Sequence, residues 1–592
     1  MNVPKTQPTR RFALALALAL VVAALVLACR PKPEPPRPVP ADAPRLVLFI
    51  VADQLRADYL VRFRPVLQHG LARLLDESVL FTEAHHDHAA TVTATGHATL
   101  TTGTFPSRHG IVGNSWYSRE EERTVAAAWD PDHGSSPQHL ERPTIGDLMK
   151  QAWPASKVYG VSSKARSAIF SAGRDADSAY WYDSRSGEIV TSTYFEPEAA
   201  EENDAGRRRR QRDGDEVTVV ADWRTAFHDR KLLDPLFGET WEPLLPFAEV
   251  ERFGILPLDR GWFGTSFPYA IGGLTAEPNE GFYSDLGETP FVDSYLTDFA
   301  KALIDGEGLG ADEVPDYLGI AYSQLDIIGH GFGPDAHETL DTLMRLDRTI
   351  GELLDFVDQR IGLDNVVIAL SSDHGVVRVP ELLLALGQDG GRFGVAQVTC
   401  VQRAGRDIAR QYGIEGSGWM PALLYLDREA LSARQVDPDR LLRDLGDRLA
   451  ACPRIERVLY PSELSETSPD DIVAKFARSH YPGRSSDLLL HLQANTLATT
   501  SMAASHGTAH RYDTHVPWLL RIPGMAPRQI DLPVRTADVA PTIAELLEIR
   551  DLPEARFDGT SRLVLAREGP APAPVESTVA ATPSSSAGGG SP

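Results

Sequence analysis

Six side chains able to bind a divalent cation through oxygen or imidazole nitrogen occur in the order Asp53, Asp326, His330, Asp373, His374 and His506. Three such donors each would satisfy two zinc-like ions and leave a position open on each for substrate. Taken singly, Asp53 reads as a turn or N-cap residue, His330 as a loop histidine and Asp373-His374 as the capped start of a helix. Together, in the pattern D...DxxxH...DH...H, they read as a metal centre. Cysteine contributes nothing to it: beyond Cys29 only Cys400 and Cys452 remain, enough for one disulfide and too few for a thiolate zinc site. The stretch 91-TVTATGHATLTTG-103 adds six hydroxyls around His97. A threonine is a poor nucleophile at its free pKa, so attack by one of them requires metal coordination.

These residues need elements that bring them to one place. The run 46-LVLFIVAD-53 is continuously apolar and rich in β-branched residues, the pattern of a strand buried on both faces of a parallel sheet. The same grammar recurs at 317-YLGIAYSQLD-326 and 365-NVVIALSSDHG-375, and the apolar spacing of 338–361 predicts an amphipathic helix between them. Buried strands alternating with helices specify an α/β fold. Each of the three strands ends in acid, at the rim where open α/β sheets place ligands. The small residues of 93–103 suit a turn into a helix, whose N-terminus favours an anionic group.

The rest of the chain frames this domain, which is expected over 46–565. Residues 186–290 are poor in strand patterns and carry the basic run 207-RRRRQR-212, read as a solvated surface in insertion loops. A second insertion, about 377–500, holds helix-like and strand-like segments and is expected to form a small αβ subdomain capping the site. A net charge of -24 argues against a general nucleic-acid binder and requires any anionic substrate to be attracted locally. At the N-terminus, Lys5, Arg10 and Arg11 precede the apolar run 12–29, and a Pro-rich linker spans 30–45. The end of that run, Val26-Leu27-Ala28-Cys29, resembles a bacterial lipobox. It implies a leader over 1–29, lipidation of Cys29 and export to the periplasm or cell envelope; an uncleaved single-span anchor is the alternative. The Ala/Pro/Ser/Gly-rich tail, 566–592, is expected to be disordered.

The order and spacing of these motifs resemble the alkaline phosphatase superfamily, and in detail its phosphate-irrepressible (PafA-type) alkaline phosphatases, close relatives of the nucleotide pyrophosphatase/phosphodiesterases. The resemblance covers about 46–545. It implies a mainly parallel sheet sandwiched between helices and two Zn2+ ions, one on Asp326, His330 and His506, the other on Asp53, Asp373 and His374. The family's TxxxH pattern puts the nucleophile at Thr93, ahead of His97, with Thr95 and Thr99 as rival hydroxyls; Thr93 would also be a metal ligand. The stretch 109-HGIVGNSWY-117 matches GIxxNxWY, which implies that Asn114 contacts a phosphoryl oxygen.

A KxR pair falls on Lys164 and Arg166. A monoester dianion has one more charged oxygen than a diester, and Lys and Arg supply charge-assisted donors for it. The resemblance therefore implies hydrolysis of small phosphate monoesters through a phosphothreonine, in the service of phosphate scavenging. The alternatives are a phosphodiesterase or nucleotide pyrophosphatase on the same scaffold, and a lipid-anchored binding module with a degenerate site. A sulfatase is disfavoured because CxPxR or SxPxR is missing at the nucleophile. The cluster 85-HHDH-88 is read as loop or supporting residues, Asp513 as a residue that orients a ligand, and His510 and His515 as neighbours of the site.

Overall fold

The computed structural model describes residues 37–196, 223–256, 266–272, 276–414 and 424–569. The segment 1–29 read as a leader, the 207–212 arginine run, the tail from 570 and most of the linker lie outside them. All that follows belongs to one compact unit, Val39–Pro592. No helix among the described residues is long and apolar enough to cross a membrane.

A ten-stranded sheet forms the centre: β1 (Leu46–Ala52), β2 (Val79–His85), β3 (Val158–Ser162), β4 (Ser178–Asp183), β5 (Glu188–Val190), β6 (Asp316–Tyr322), β7 (Val366–Ser371), β8 (His515–Arg521), β9 (Arg528–Ile530) and β10 (Val534–Arg535). Their order is β9-β2-β8-β7-β1-β6-β3-β4-β5, with β10 also on β2. The run β7-β1-β6-β3-β4 is parallel throughout, while β8 and β5 add antiparallel partners at its two sides. Every residue of β1 is buried. Alternation then sends Leu46, Leu48 and Ile50 into one core and Val47, Phe49 and Val51 into another, so both faces must be covered.

The helices that position the site are α1 (Thr93–Thr102), α2 (Ile145–Ala152), α3 (Ala165–Ala172), α4 (Phe291–Glu307), α5 (Gln324–Phe332) and α6 (His337–Arg360). The first core takes Leu343, Leu346, Ile350 and Leu353 from α6 and Leu296 and Phe299 from α4. The second takes Leu148 and Met149 from α2 and Val539 and Ile543 from the helix Val539–Leu546. The region read from sequence as insertion loops behaves differently. Its described part supplies β5 to the sheet and buries Phe227, Trp241, Tyr269 and Phe282 in the first core. Isolated aromatic residues separated by polar stretches carry no periodicity, although each large ring removes about 150 Å² or more from water.

Between β7 and β8 the chain makes a long excursion into a lobe with its own core. That core joins Ile408 of α7 (Val395–Tyr412), Leu441, Leu445 and Leu449 of α8 (Pro438–Ala450), Ile455 and Leu488. Cys400 and Cys452, 52 residues apart, form a disulfide within it. A third lobe helix, α9 (Asp471–Ser479), ends beside the catalytic unit: Ser479 Oγ accepts the Ala89 N–H at 2.7 Å, and Arg478 pairs with Asp87 at 2.8 Å.

Candidate active site and metal centre

β1 and β7 are neighbours in register, so their C-terminal ends deliver Asp53 and Asp373-His374 side by side, all fully buried. His374 Nε2 lies 3.3 Å from Asp53 Oδ1 and 3.6 Å from Asp373 Oδ2. Asp53 Oδ1 and His374 Nε2 have no hydrogen-bond partner, and Asp373 Oδ2 has only the His97 ring beside it at 3.1 Å. His374 Nδ1 sits 3.0 Å from the Gly375 carbonyl, which accepts only, so Nδ1 carries the ring hydrogen and Nε2 presents a lone pair. Three lone pairs thus converge in a buried pocket, an arrangement costly without a cation at its centre. Burial first, then the Asp326 and Asp373 charges, pushes the Asp53 carboxyl well above the usual carboxylate range. This donor set fits a divalent metal.

The second group is assembled differently. Strand β6 stops at Tyr322 and α5 begins at Gln324, so Asp326 and His330 do not sit on a strand end but share one face of a helix, at i and i+4. His506 comes from the long segment returning from the lobe. The Nε2 atoms of His330 and His506 lie 3.3 and 3.5 Å from Asp326 Oδ1 and 3.2 Å from each other. Their Nδ1 atoms are directed at the Ala504 and Thr91 carbonyls, at 2.9 and 2.8 Å, which aims both Nε2 atoms inward. The His374 and His506 rings stack at 3.5 Å, joining the two groups. Burial opposes charge on His506, but its hydrogen bond to Asp326 and that carboxylate's charge outweigh it and raise its pKa. Cation binding there is coupled to release of the His506 proton.

Thr93 is the first residue of α1 and almost completely buried. His97, one turn on, directs Nδ1 at the Thr93 carbonyl at 2.9 Å and lies 3.1 Å from Asp373 Oδ2, so the TxxxH spacing ties the start of the helix to the metal-type cluster. The approach is close: a Cβ at Gly96 would meet the Asp373 carbonyl oxygen at 2.1 Å. Asn114 Oδ1 accepts the Ala94 N–H at 2.9 Å, which leaves its amide N–H groups as the donors. Lys164, at the N-cap of α3, reaches Asp53 Oδ2 at 2.6 Å and Asp326 Oδ2 at 2.5 Å, bridging the two groups. Burial lowers its pKa, but those carboxylates more than compensate and raise it. Arg166 follows two residues later, its Nε buried and without a partner.

Of the supporting residues, sequence reasoning singled out the 85-HHDH-88 cluster and Asp513 but missed Gln54 and Asp293. Gln54, at φ 67°, directs its backbone N–H at Asp373 Oδ1 and donates its side-chain amide to Asp326 Oδ1 at 2.5 Å. His86, within 85-HHDH-88, bonds the Ser372 carbonyl at 2.9 Å, next to Asp373, and is fully buried with His88. Asp293 on α4 accepts N–H bonds from Ser323 and Gln324 at the start of α5, and burial pushes its pKa up to about 8. Asp513 Oδ2 takes the Thr508 N–H at 2.8 Å, two residues beyond His506, and burial raises its pKa to about 7. His510 and His515 bond the Leu492 and Thr82 carbonyls instead of joining the cluster.

A central, mainly parallel sheet between helices, with acids and imidazoles gathered at one rim and a threonine opening the helix beside them, is an alkaline-phosphatase-like fold. The solved structure of alkaline phosphatase PafA matches it with a TM-score of 0.76 and 26% identity, over 89% of this chain and 99% of that one. Residues 47–388 match type I phosphodiesterase / nucleotide pyrophosphatase, and the chain belongs to that family. Alkaline phosphatase PafA of Elizabethkingia meningoseptica is 29% identical over 532 residues, 86% of this chain and 92% of the relative. A Myroides odoratus relative named calcium-transporting ATPase is 28% identical over the same shares.

Proposed function

We propose that the protein is a two-zinc phosphomonoesterase with Thr93 as nucleophile, exported and lipid-anchored through Cys29 as its N-terminal sequence suggests. In this reading Thr93 Oγ1 gives up its proton and attacks phosphorus in line with the ester oxygen. The Thr93 O–P bond forms as the ester P–O bond breaks, and the alcohol leaves with a proton. Water then cleaves the phosphothreonine, releasing inorganic phosphate and restoring the hydroxyl. Asn114, its carbonyl held by Ala94, donates an amide N–H to one phosphoryl oxygen; Lys164 and Arg166 donate to the others. Asp53, Asp373 and His374 would hold one zinc ion, and Asp326, His330 and His506 the other. Bound there, zinc supplies Lewis acidity and depresses the pKa of a hydroxyl or water.

The observation that carries the monoester reading is the cationic pair at the cluster: Lys164 bridges Asp53 and Asp326, and Arg166 stands beside it with a buried, unpartnered Nε. The likeness to proteins named alkaline phosphatase supports it too. The test is the ratio of kcat/KM for nitrophenyl phosphate to that for methyl nitrophenyl phosphate, on zinc-loaded protein. A ratio well above one that collapses in Lys164→Ala/Arg166→Ala is expected. A ratio well below one moves the protein to diesters or pyrophosphates, and turnover of neither substrate favours a binding module.

A further inference from the structure

A cavity of about 290 Å³ lies between the catalytic unit and the lobe. The segments that bear Thr93, Asn114 and His506 lend it wall: Ala90 lies three residues before Thr93, Ser115 follows Asn114, and His506 itself is part of the lining. The opposite wall comes from the lobe. Trp116, Tyr425, Phe476, Leu490 and Tyr512 give the cavity an aromatic and apolar character. Among the described residues no Lys, Arg or Glu lines it, and the one carboxylate among them, Asp513, spends Oδ2 on Thr508.

The contrast with the phosphoryl end is chemical. There Lys164 and Arg166 gather anionic oxygens; here the described lining offers hydroxyls and the His491 and His506 imidazoles but no lysine or arginine to pair with a second phosphate or a carboxylate, and desolvating such a group without a cation is costly. Small-molecule sites span roughly 300 to 1,000 Å³, so this cavity, at the lower limit, suits a group of one or two rings. Its walls are set before any ligand arrives, because the lobe is fastened to the catalytic unit by Ser479 on Ala89, by Arg478 on Asp87 and by Arg484 on Glu141 at 2.6 Å.

We infer that this cavity receives the alcohol portion of the phosphate ester and selects uncharged aryl or similarly flat, apolar alcohols, a specificity that rests on the phosphomonoesterase reading above. Phosphorylated or carboxylated alcohols are then disfavoured whatever their phosphoryl chemistry.

Leu490→Asp puts a charge into the cavity wall without touching the residues assigned to phosphoryl transfer. On the zinc-loaded full chain it should lower the kcat/KM ratio of 1-naphthyl phosphate to methyl phosphate by about tenfold or more. An unchanged ratio overturns the inference. A second measurement needs no variant and no turnover: calorimetric titration of wild-type protein with 1-naphthol. Saturable binding that competes with 1-naphthyl phosphate supports the cavity, and its absence overturns it. If wild-type protein hydrolyses no monoester, the preceding reading fails on that result alone, and the titration still decides whether the cavity takes aryl alcohols.

Discussion

The two donor groups differ in how they are built. Asp53, Asp373 and His374 come from the ends of adjacent parallel strands, are wholly buried, and present atoms that satisfy one another poorly. Asp326, His330 and His506 come from a helix and a long return segment, and they are knitted together by Gln54, Lys164 and mutual hydrogen bonds. Lys164 and Gln54 serve both groups, but the first leaves Asp53 Oδ1 and His374 Nε2 without a partner, whereas the inward atoms of the second are hydrogen-bonded. A cluster with unpaired acceptors gains most from a cation, while a satisfied cluster must exchange protons to accept one.

The largest expected effect lies in the first group. Asp373→Ala should lower kcat/KM by about a thousandfold, on the order of 4 kcal/mol of barrier, since it removes one of three converging donors from the buried site. His330→Ala should cost less, about a hundredfold, because Asp326 keeps its other partners. Parallel kinetics with metal analysis by mass spectrometry check this, and equal losses would erase the distinction.

A smaller effect is expected from Gln54→Met, which keeps the bulk but removes the amide that donates to Asp326 Oδ1. Supporting hydrogen bonds of this kind are worth roughly 10- to 100-fold in metal affinity. Activity should fall at limiting zinc and recover at saturating zinc. Loss of activity at every zinc concentration would mean that Gln54 holds the fold of the site instead of tuning one metal.

The smallest effect concerns stability. Asp293 caps α5, the helix of the second group, with a folded-state pKa raised from 3.8 to about 8. From pH 3.8 to about 8 the folded protein therefore holds a proton that the unfolded chain has released, and stability falls as pH rises through that window. Asp293→Asn should flatten the decline of Tm over the same range, as measured by thermal melts in matched buffers. An unaltered slope would remove Asp293 as its source.

Legibility from sequence followed the same division. Asp53 and Asp373-His374 could be found because each ends an uninterrupted apolar run, and a fully buried parallel strand leaves that trace. Asp326 and His330 showed as an i, i+4 pair, although the sequence suggested a strand end where α5 begins. His506 lies between Leu497 and Arg511, where no periodic pattern exists; its residue type placed it among the donors, and only the family resemblance assigned it to Asp326 and His330. The role of Gln54 depends on a positive φ and two long-range partners, neither of which a single sequence discloses. Lys164 was legible as a cation for a phosphoryl group, but its bridge between Asp53 and Asp326 exists only once β1, α3 and α5 are assembled. The 186–290 region failed for a simpler reason: single aromatic anchors spaced along polar chain are core without rhythm.

The lobe leaves the sheet after β7 and re-enters at β8, and these strands are direct antiparallel partners, Ser371 opposite Trp518. In topological terms a short hairpin could close that gap, and the entropy of closing a longer loop grows only with the logarithm of its length. The sheet is thus indifferent to what is threaded between the two strands, provided the outgoing limb keeps Asp373-His374 and the returning limb keeps His506. The junction is an exchange port: lobes of different size and lining could be installed there without redesigning the catalytic rim, and one scaffold could diversify through that single opening.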